Sequence, residues 1–371
     1  MHVALIISEE RLLHEHSMLN RLVIGLIAES QRVTRIVPAL MSWEHVLLGE
    51  QRIALASRLE TEMKVLPWSR LRRATLLATE MEKNLPDIFY AVGEGAWNVG
   101  MDLAEAIERP VLLDVWNGRL ARRVPRGRHA RMVGGYVTPT RALREVLCQS
   151  IDPGLVSAVP TGVALPVESR EVFARPDACV SIAVVGGGRD VPAYRAMLGG
   201  LSRVNREYPQ LQIFLELRGR HQHEIWRYAQ KLRLLDRIST VRDASPHRRL
   251  LTQCDMMLLP ERYGELFSIM LEAMANGMVV IASHDPMIEM LQAEDSARIA
   301  SADSPEEWAQ LIRRTIQDPE GSRQLGQRAR ALIAARHTTN IQASTLIDVF
   351  EQVVSGGAYS FTEAARSAAG V

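Results

Sequence analysis

The chain has 371 residues, 47% of them hydrophobic and 23% charged, with a formal net charge of +1. Such a length exceeds what one hydrophobic core supports, so two domains are expected, and the composition excludes a disordered chain. The near-zero charge excludes a global field that would gather nucleic acid or an anionic membrane.

The N-terminal run "VALII" is short and leads into Glu9 and Glu10, which argues against a signal peptide. No other run approaches the roughly 18 apolar residues of a membrane span, so the expected location is cytoplasmic. Further β-rich runs follow as "VTRIVPA", "IFYAV", "PVLLDVW", "GYVTP" and "SAVPTG", with segments of helical period between them. That alternation predicts a parallel sheet covered by helices. His14 and His16 form an H-x-H pair after the first run; with no third ligand in view they read as surface or capping residues.

The stretch "LPWSRLRRATLL" (66 to 77) mixes Trp68 and leucines with Arg70, Arg72 and Arg73. This suits an interfacial helix, with peripheral contact at the inner face of a membrane, and equally a surface helix with an apolar inner side. Arg119, Arg122, Arg123, Arg126, Arg128 and Arg131 crowd one loop and helix start. Their forks suit a phosphorylated or lipid-pyrophosphate acceptor, and a solvated basic loop is the alternative. Cys148, Cys179 and Cys254 are far apart and in no C-x-x-C spacing, which fits reduced thiols and argues against disulfides or zinc.

A polar stretch, "PVESREVFARPDA" (166 to 178), reads as an interdomain linker. After it the theme repeats with "SIAVV", "QIFLEL", "ISTV", "DMMLLP" and "MVVIAS". The predicted fold class is therefore α/β, two Rossmann-like doubly wound domains (1–165 and 166–344) with ligand crevices at the carboxyl ends of their sheets, facing a shared cleft. Residues 345–371 read as a C-terminal helix and a small, polar, frayed tail packing back on the N-terminal domain.

Two loops of the second domain carry candidate chemistry. Gly186, Gly187 and Gly188 follow "SIAVV" and precede Arg189, so backbone N–H groups and a cation stand where phosphate oxygens could be received. A dinucleotide site is disfavoured, because Val191 holds the place of the third glycine in G-x-G-x-x-G. "ERYGELFSIMLEAMANG" (261 to 277) follows the strand "CDMMLLP". A helix starting near Phe267 or Ser268 would turn its N–H groups toward an anion. Glu272, one turn in, has a carboxylate suited to the vicinal hydroxyls of a ribose. Spacing alone also permits Glu265 and Glu272 to be a solvated helix face.

The segment "CDMMLLPERYGELFSIMLEAMANGMVVIASHDPMIEML" resembles the E-x7-E-A-m-A-x-G region of the retaining, nucleotide-sugar-dependent glycosyltransferases of family 4, which have the two-domain GT-B fold. "VPTGV" is similar to that family's "VPNGV" at the domain junction, and "RQLGQRARALI" to its "LG-x-x-AR" helix. The resemblance implies an acceptor domain at 1–165 and a nucleotide-sugar domain at 166–344. Its expected role for Glu272 is ribose binding, so Glu272→Ala should weaken nucleotide binding about tenfold or more. The donor-sugar glutamate falls without a gap on Gly264, one residue before Glu265.

By the same comparison the two diphosphate cations fall on Gly187 and Pro192, leaving Arg189 to replace one of them. No glycine-rich loop follows "VALII", and the family's N-domain histidine falls near Trp116 or Asn117. The implied catalytic residues are Glu265 and Arg189. Donor contacts would come from Glu272, Gly186, Gly187, Gly188, Phe267 and Ser268, and the acceptor side from Arg119, Arg122, Arg123, Trp116 and Asn117. The expectation is a hexosyl or related transferase of glycan or cell-envelope polysaccharide or glycolipid synthesis. It would use a nucleotide diphosphate sugar and a glycan or lipid-linked acceptor, with no metal, no other cofactor and no nucleic acid. The substituted motif positions define the alternative, a non-catalytic GT-B protein that binds a nucleotide, a glycan or a partner protein.

Overall fold

Every strand pairing in the described chain is parallel, which obliges each connection to cross over, here mostly through a helix. The computed structural model describes residues 1–39, 55–125, 130–168, 171–173, 179–216, 219–241 and 244–368. Unit 1 comprises Met1–Gly162 with Thr339–Val371, and unit 2 comprises Val163–Thr338.

Unit 1 runs β1 (His2–Ile7), α1 (Glu9–Ala28), β2 (Arg32–Pro38), β3 (Ser57–Thr61), α2 (Arg70–Met81), β4 (Ile88–Val92), α3 (Glu94–Ile107), β5 (Val111–Asp114), α4 (Gly118–Ala121), β6 (Val133–Thr138), α5 (Arg141–Cys148) and β7 (Val156–Ala158). Its seven-stranded sheet has the order β3-β2-β1-β4-β5-β6-β7. The winding therefore reverses between β1 and β4. The last helix, α12 (Thr339–Ala368), returns to this unit and buries Ala343, Leu346, Val349 and Phe350 in one cluster with Val3, Leu5 and Leu22. Backbone helix continues to Ala368, into the stretch that composition reads as frayed.

Unit 2 runs β8 (Val180–Val184), α6 (Val191–Glu207), β9 (Leu211–Glu216), α7 (Gln222–Lys231), β10 (Ile238–Val241), α8 (Ala244–Leu251), β11 (Met256–Leu259), α9 (Ser268–Ala275), β12 (Val279–Ser283), β13 (Arg298–Ala300), α10 (Pro305–Gln317) and α11 (Pro319–Arg336). Its six-stranded sheet has the order β10-β9-β8-β11-β12-β13, with the reversal between β8 and β11. Both faces are buried, by Ile182, Val184 and Ile281 on one side and by Ala183, Met257 and Val280 on the other. Such two-sided burial explains why the strands read as continuous apolar runs.

The stretch 166 to 178 does not behave as a free linker where it is described. Val172 is buried, Phe173 N–H donates to Asp255 at 3.2 Å, and Arg323 donates to the carbonyls of Val172 and Phe173. The polar composition there serves docking against unit 2. The three cysteines are free.

Candidate functional site

In an open parallel sheet, ligands gather outside the carboxyl ends of the strands where the winding reverses. In unit 2 that point lies between β8 and β11, and the two loops leaving those strands are the glycine loop and the loop that begins at Glu261. The carboxylate of Glu261 accepts the backbone N–H groups of Gly187, Arg189 (2.5 Å) and Asp190 (2.9 Å). Asp190 then caps α6 by accepting Ala193 N–H at 3.1 Å. The converging N–H groups and the positive end of a 17-residue helix thus form an anion-binding nest, filled by a side chain of the protein itself.

Gly186 is required by crowding, since a Cβ there would lie 2.6 Å from the Tyr194 hydroxyl and 2.9 Å from Glu261 Oε2. Gly188 is required by its φ of 65°. Arg189 reaches from the same loop to Glu265, whose side chain is 6% exposed against 40% for the arginine. Gly264 takes a φ of 63°, donates its N–H to Asp285 at 2.6 Å, and has Met287 where a Cβ would go. A glutamate does not fit at 264, and the adjacent carboxylate of Glu265 is the one aimed at the nest. Burial pushes the Tyr263 phenol up, and the Asp190 and Glu261 carboxylates add to it. Behind the loops, Gly186, Glu261, Glu265 and Phe267 line a cavity of about 20 Å³, room for one water. An anion seated on the N–H groups of Gly187, Arg189 and Asp190 would have to displace Glu261.

Helix α9 starts as the spacing predicts, with Phe267 as its N-cap residue and Ser268 first in the helix. Glu265 precedes the helix, so the two glutamates do not form a helix face. Ser268 and Glu272, one turn apart, both turn to Arg248 of α8, which donates to Glu272 at 2.9 Å and to Ser268 Oγ at 2.5 Å. All three side chains are buried, which excludes the solvated reading of Glu272. Removing one member of a buried ion pair costs roughly 3–5 kcal/mol because the other is left uncompensated.

Unit 1 has its own reversal point between β1 and β4. There a cavity of about 610 Å³ is lined by Ser8, Glu9, Glu10, His14, Lys64, Arg70, Arg73, Glu94 and Asn98 among others. Ser8 caps α1, and Asp102 holds Arg70 at 2.5 Å and Arg73 at 2.8 Å. Glu94 takes Arg123 at 2.6 Å and Arg119 at 3.6 Å, and Arg122 is exposed at the end of α4. Trp116 is buried beneath the Arg11 guanidinium, 4.8 Å from its ring centroid, and Asn117 caps α4 by accepting Leu120 N–H at 2.9 Å. Arg126 and Arg128 lie outside the described residues. His14 and His16 both sit on α1, on either side of Glu15, whose φ of −126° and ψ of 18° break the regular helix between them. Among the described residues no group of three His, Cys, Asp or Glu is placed to hold a metal ion.

Asp114, at the end of β5, is fully buried 3.9 Å from Arg11. Burial pushes its carboxyl up to about 6, against the opposing pull of Arg11 and of Gly93 N–H. Sequence reasoning passed over Glu261, Arg248 and Asp114. Glu261 carried a signal, since it stands two residues beyond the end of β11 at the reversal point. Arg248 carried none, being 24 residues from its partner.

Two all-parallel units of this strand order make up the GT-B fold of glycosyltransferases. Residues 201–332 match the family model for glycosyl transferases group 1, and the Glu272 segment lies inside that match. No curated protein matches the chain. Among solved structures, a glycosyltransferase from Rickettsia africae ESF-5 superposes with TM-score 0.70 at 12% identity, covering 95% of this chain and 98% of that one. HepE of Anabaena, solved with UDP and glucose, gives 0.73 at 12%, covering 94% and 99%. Sucrose-phosphate synthase from Thermosynechococcus elongatus gives 0.74 at 14%, covering 96% and 100%. The resemblance read from the Glu272 segment is thereby upheld at the level of a glycosyltransferase of the GT-B fold. No helix among the described residues is long and apolar enough to cross a membrane.

Proposed function

We propose that the protein transfers a sugar, a hexose or a related one, from a nucleotide diphosphate sugar to an acceptor hydroxyl with retention, in glycan or cell-envelope glycolipid or polysaccharide synthesis. The observation that carries this reading is the nest at Gly187–Asp190, already organised around a carboxylate. A diphosphate oxygen presents the same acceptor geometry.

In this reading the Gly186–Gly188 loop, the α6 and α9 N-termini and Arg189 stabilise the departing diphosphate, in place of a metal. Glu272, oriented by Arg248, holds the ribose, and Glu265 meets the donor sugar once Arg189 turns to phosphate. The acceptor, a glycan or a lipid-linked one, would enter the unit 1 cavity, whose carboxylates and cations suit hydroxyl and phosphate groups alike. HepE, solved with UDP and glucose, supports uridine as the first base to try.

The test is a thermal-shift titration with UDP, GDP, ADP and their sugar conjugates, since a ligand that binds only the folded state raises its melting temperature. Glu272→Gln is the appropriate variant because it keeps a hydrogen-bonding shape beside buried Arg248. One nucleotide should stabilise the wild type, with affinity about tenfold or more weaker in the variant. No shift with any nucleotide at millimolar concentration would sink the reading. The occupied nest, together with Gly187 and Pro192 at the two cation positions, favours a second reading, a non-catalytic binder. Nucleotide binding without sugar release to any acceptor or to water would select it.

A further inference from the structure

Among the described residues, six of the thirteen exposed large hydrophobic ones fall between Leu55 and Leu85, and four of them, Leu66, Trp68, Leu71 and Leu76, within eleven residues. Scattered apolar exposure is ordinary, but a cluster this dense marks a contact surface. The 3-10 turn Pro67–Ser69 runs directly into α2, so Trp68 stands one helical turn before Leu71 and Arg72. The opposite side of α2 is spent on the core through Arg73, Ala74, Leu77 and Met81. The two threonines on the outer side do not make it polar. Thr75 donates its hydroxyl to Leu71 O at 3.0 Å and Thr79 to Thr75 O at 2.9 Å, which leaves their methyl groups outward.

Charge identifies the occupant. Residues 63–79 hold Lys64, Arg70, Arg72 and Arg73 and no acidic residue. Asp102 pairs with Arg70 and Arg73, while Lys64 and Arg72 are exposed beside the apolar cluster. We propose that the Leu66–Leu76 face docks on a lipid bilayer carrying anionic headgroups, Trp68, Leu71 and Leu76 entering the interface and Arg72 and Lys64 meeting phosphates. A contact between two copies through this face would bring two surfaces together that both expose Lys64 and Arg72, and is disfavoured. The same segment walls the unit 1 cavity through Met63, Lys64 and Val65, so an acceptor carried by lipid would arrive beside it. That last clause rests on the proposed function; the docking itself does not.

The experiment is co-sedimentation of the full chain with vesicles of phosphatidylcholine alone and of phosphatidylcholine mixed with phosphatidylglycerol, at low and high salt. Wild type should pellet with the anionic vesicles and be released by salt. Trp68→Ser/Leu71→Ser should lower partitioning about tenfold, and Arg72→Glu about fivefold or more with loss of the anionic preference. Both variants should melt as the wild type does, since the altered side chains are exposed. Wild type remaining in the supernatant with anionic vesicles, or well-folded variants pelleting like wild type, overturns the proposal. So does a concentration-dependent dimer, lost in the same variants, in a protein that ignores vesicles, because it assigns the face to a second copy. Vesicle binding is read without donor or acceptor, so its failure and the failure of the transferase reading are separate results.

Discussion

At Glu261 one carboxylate decides whether the loop after β8 is available to an outside anion. Glu261→Gln removes the charge while keeping a carbonyl that can accept one of the N–H groups, so nucleoside diphosphate affinity should rise, by about tenfold if one charged hydrogen bond is relieved. Calorimetric titration measures it, and weaker binding would instead make Glu261 part of the ligand's own contact set. Asp114 leads to a pH prediction. Its carboxyl is pushed up to about 6 in the folded protein from an ordinary 3.8, so the folded state binds the proton more tightly. Its stabilising contribution is complete below about pH 4 and is lost as pH rises through 6, about 3 kcal/mol in all. The stability difference between wild type and Asp114→Asn, from urea unfolding at pH 4 and pH 7, should shrink by about that amount. A flat difference would place the proton elsewhere. Glu272 was legible because it follows a strand end and precedes a run of small residues. Its burial was not, because Arg248 is supplied by another helix. Trp116 and Asn117 were legible only as substitutions, and their work as a stacking partner and a helix cap depends on contacts that spacing does not encode.

Among the elements, those missed from sequence are the weakest in pattern. Strand β3, "SRLET", is an edge strand with its first residue exposed, and β13, "RIA", has three residues. Neither offers an apolar run, and pairing with a neighbour rather than composition makes them strands. Helix α9 starts where the sequence reading put it, but all eight of its residues are buried, Ser268 and Glu272 among them, so no solvent face could be read from its pattern. The "LG-x-x-AR" likeness has a packing cause at Gly326 of α11, where a Cβ would stand 2.0 Å from Gly277 O. The backbone obstacle is beyond the end of α9, so neither side can yield by a rotamer change. Gly326→Ala should therefore destabilise unit 2 by about 1–3 kcal/mol or more, visible as a lower urea midpoint. An unchanged midpoint would mean that α11 slides freely on its neighbours.

On the scale of the whole molecule, the two doubly wound units were readable from alternating apolar runs, whereas no shift of composition marks Thr338, where the chain leaves unit 2. Unit 2 is one continuous stretch whose ends lie side by side, with Val163 N–H donating to His337 O at 2.8 Å and Val163 bridged to Thr338. Unit 1 is made of two stretches, and Phe350 of the second packs edge-on to Tyr90 of the first at 5.8 Å, while Gln342 accepts Gly162 N–H at 3.0 Å. A chain ending at Thr338 should keep the cooperative unfolding of unit 2 and lose that of unit 1, as hydrogen exchange by mass spectrometry would show through selective loss of protection in β1 and β4. Domains generally fold as units, N-terminal first, while the chain is still being made. Here that order is inverted: unit 2 is complete once Thr338 has left the ribosome, but the earlier-made sheet around Val3, Leu5 and Tyr90 lacks its α12 cover until Phe350 has followed. During that interval the apolar side chains of Val3, Leu5 and Tyr90 stand open to water, and the arrival of α12 ends their exposure.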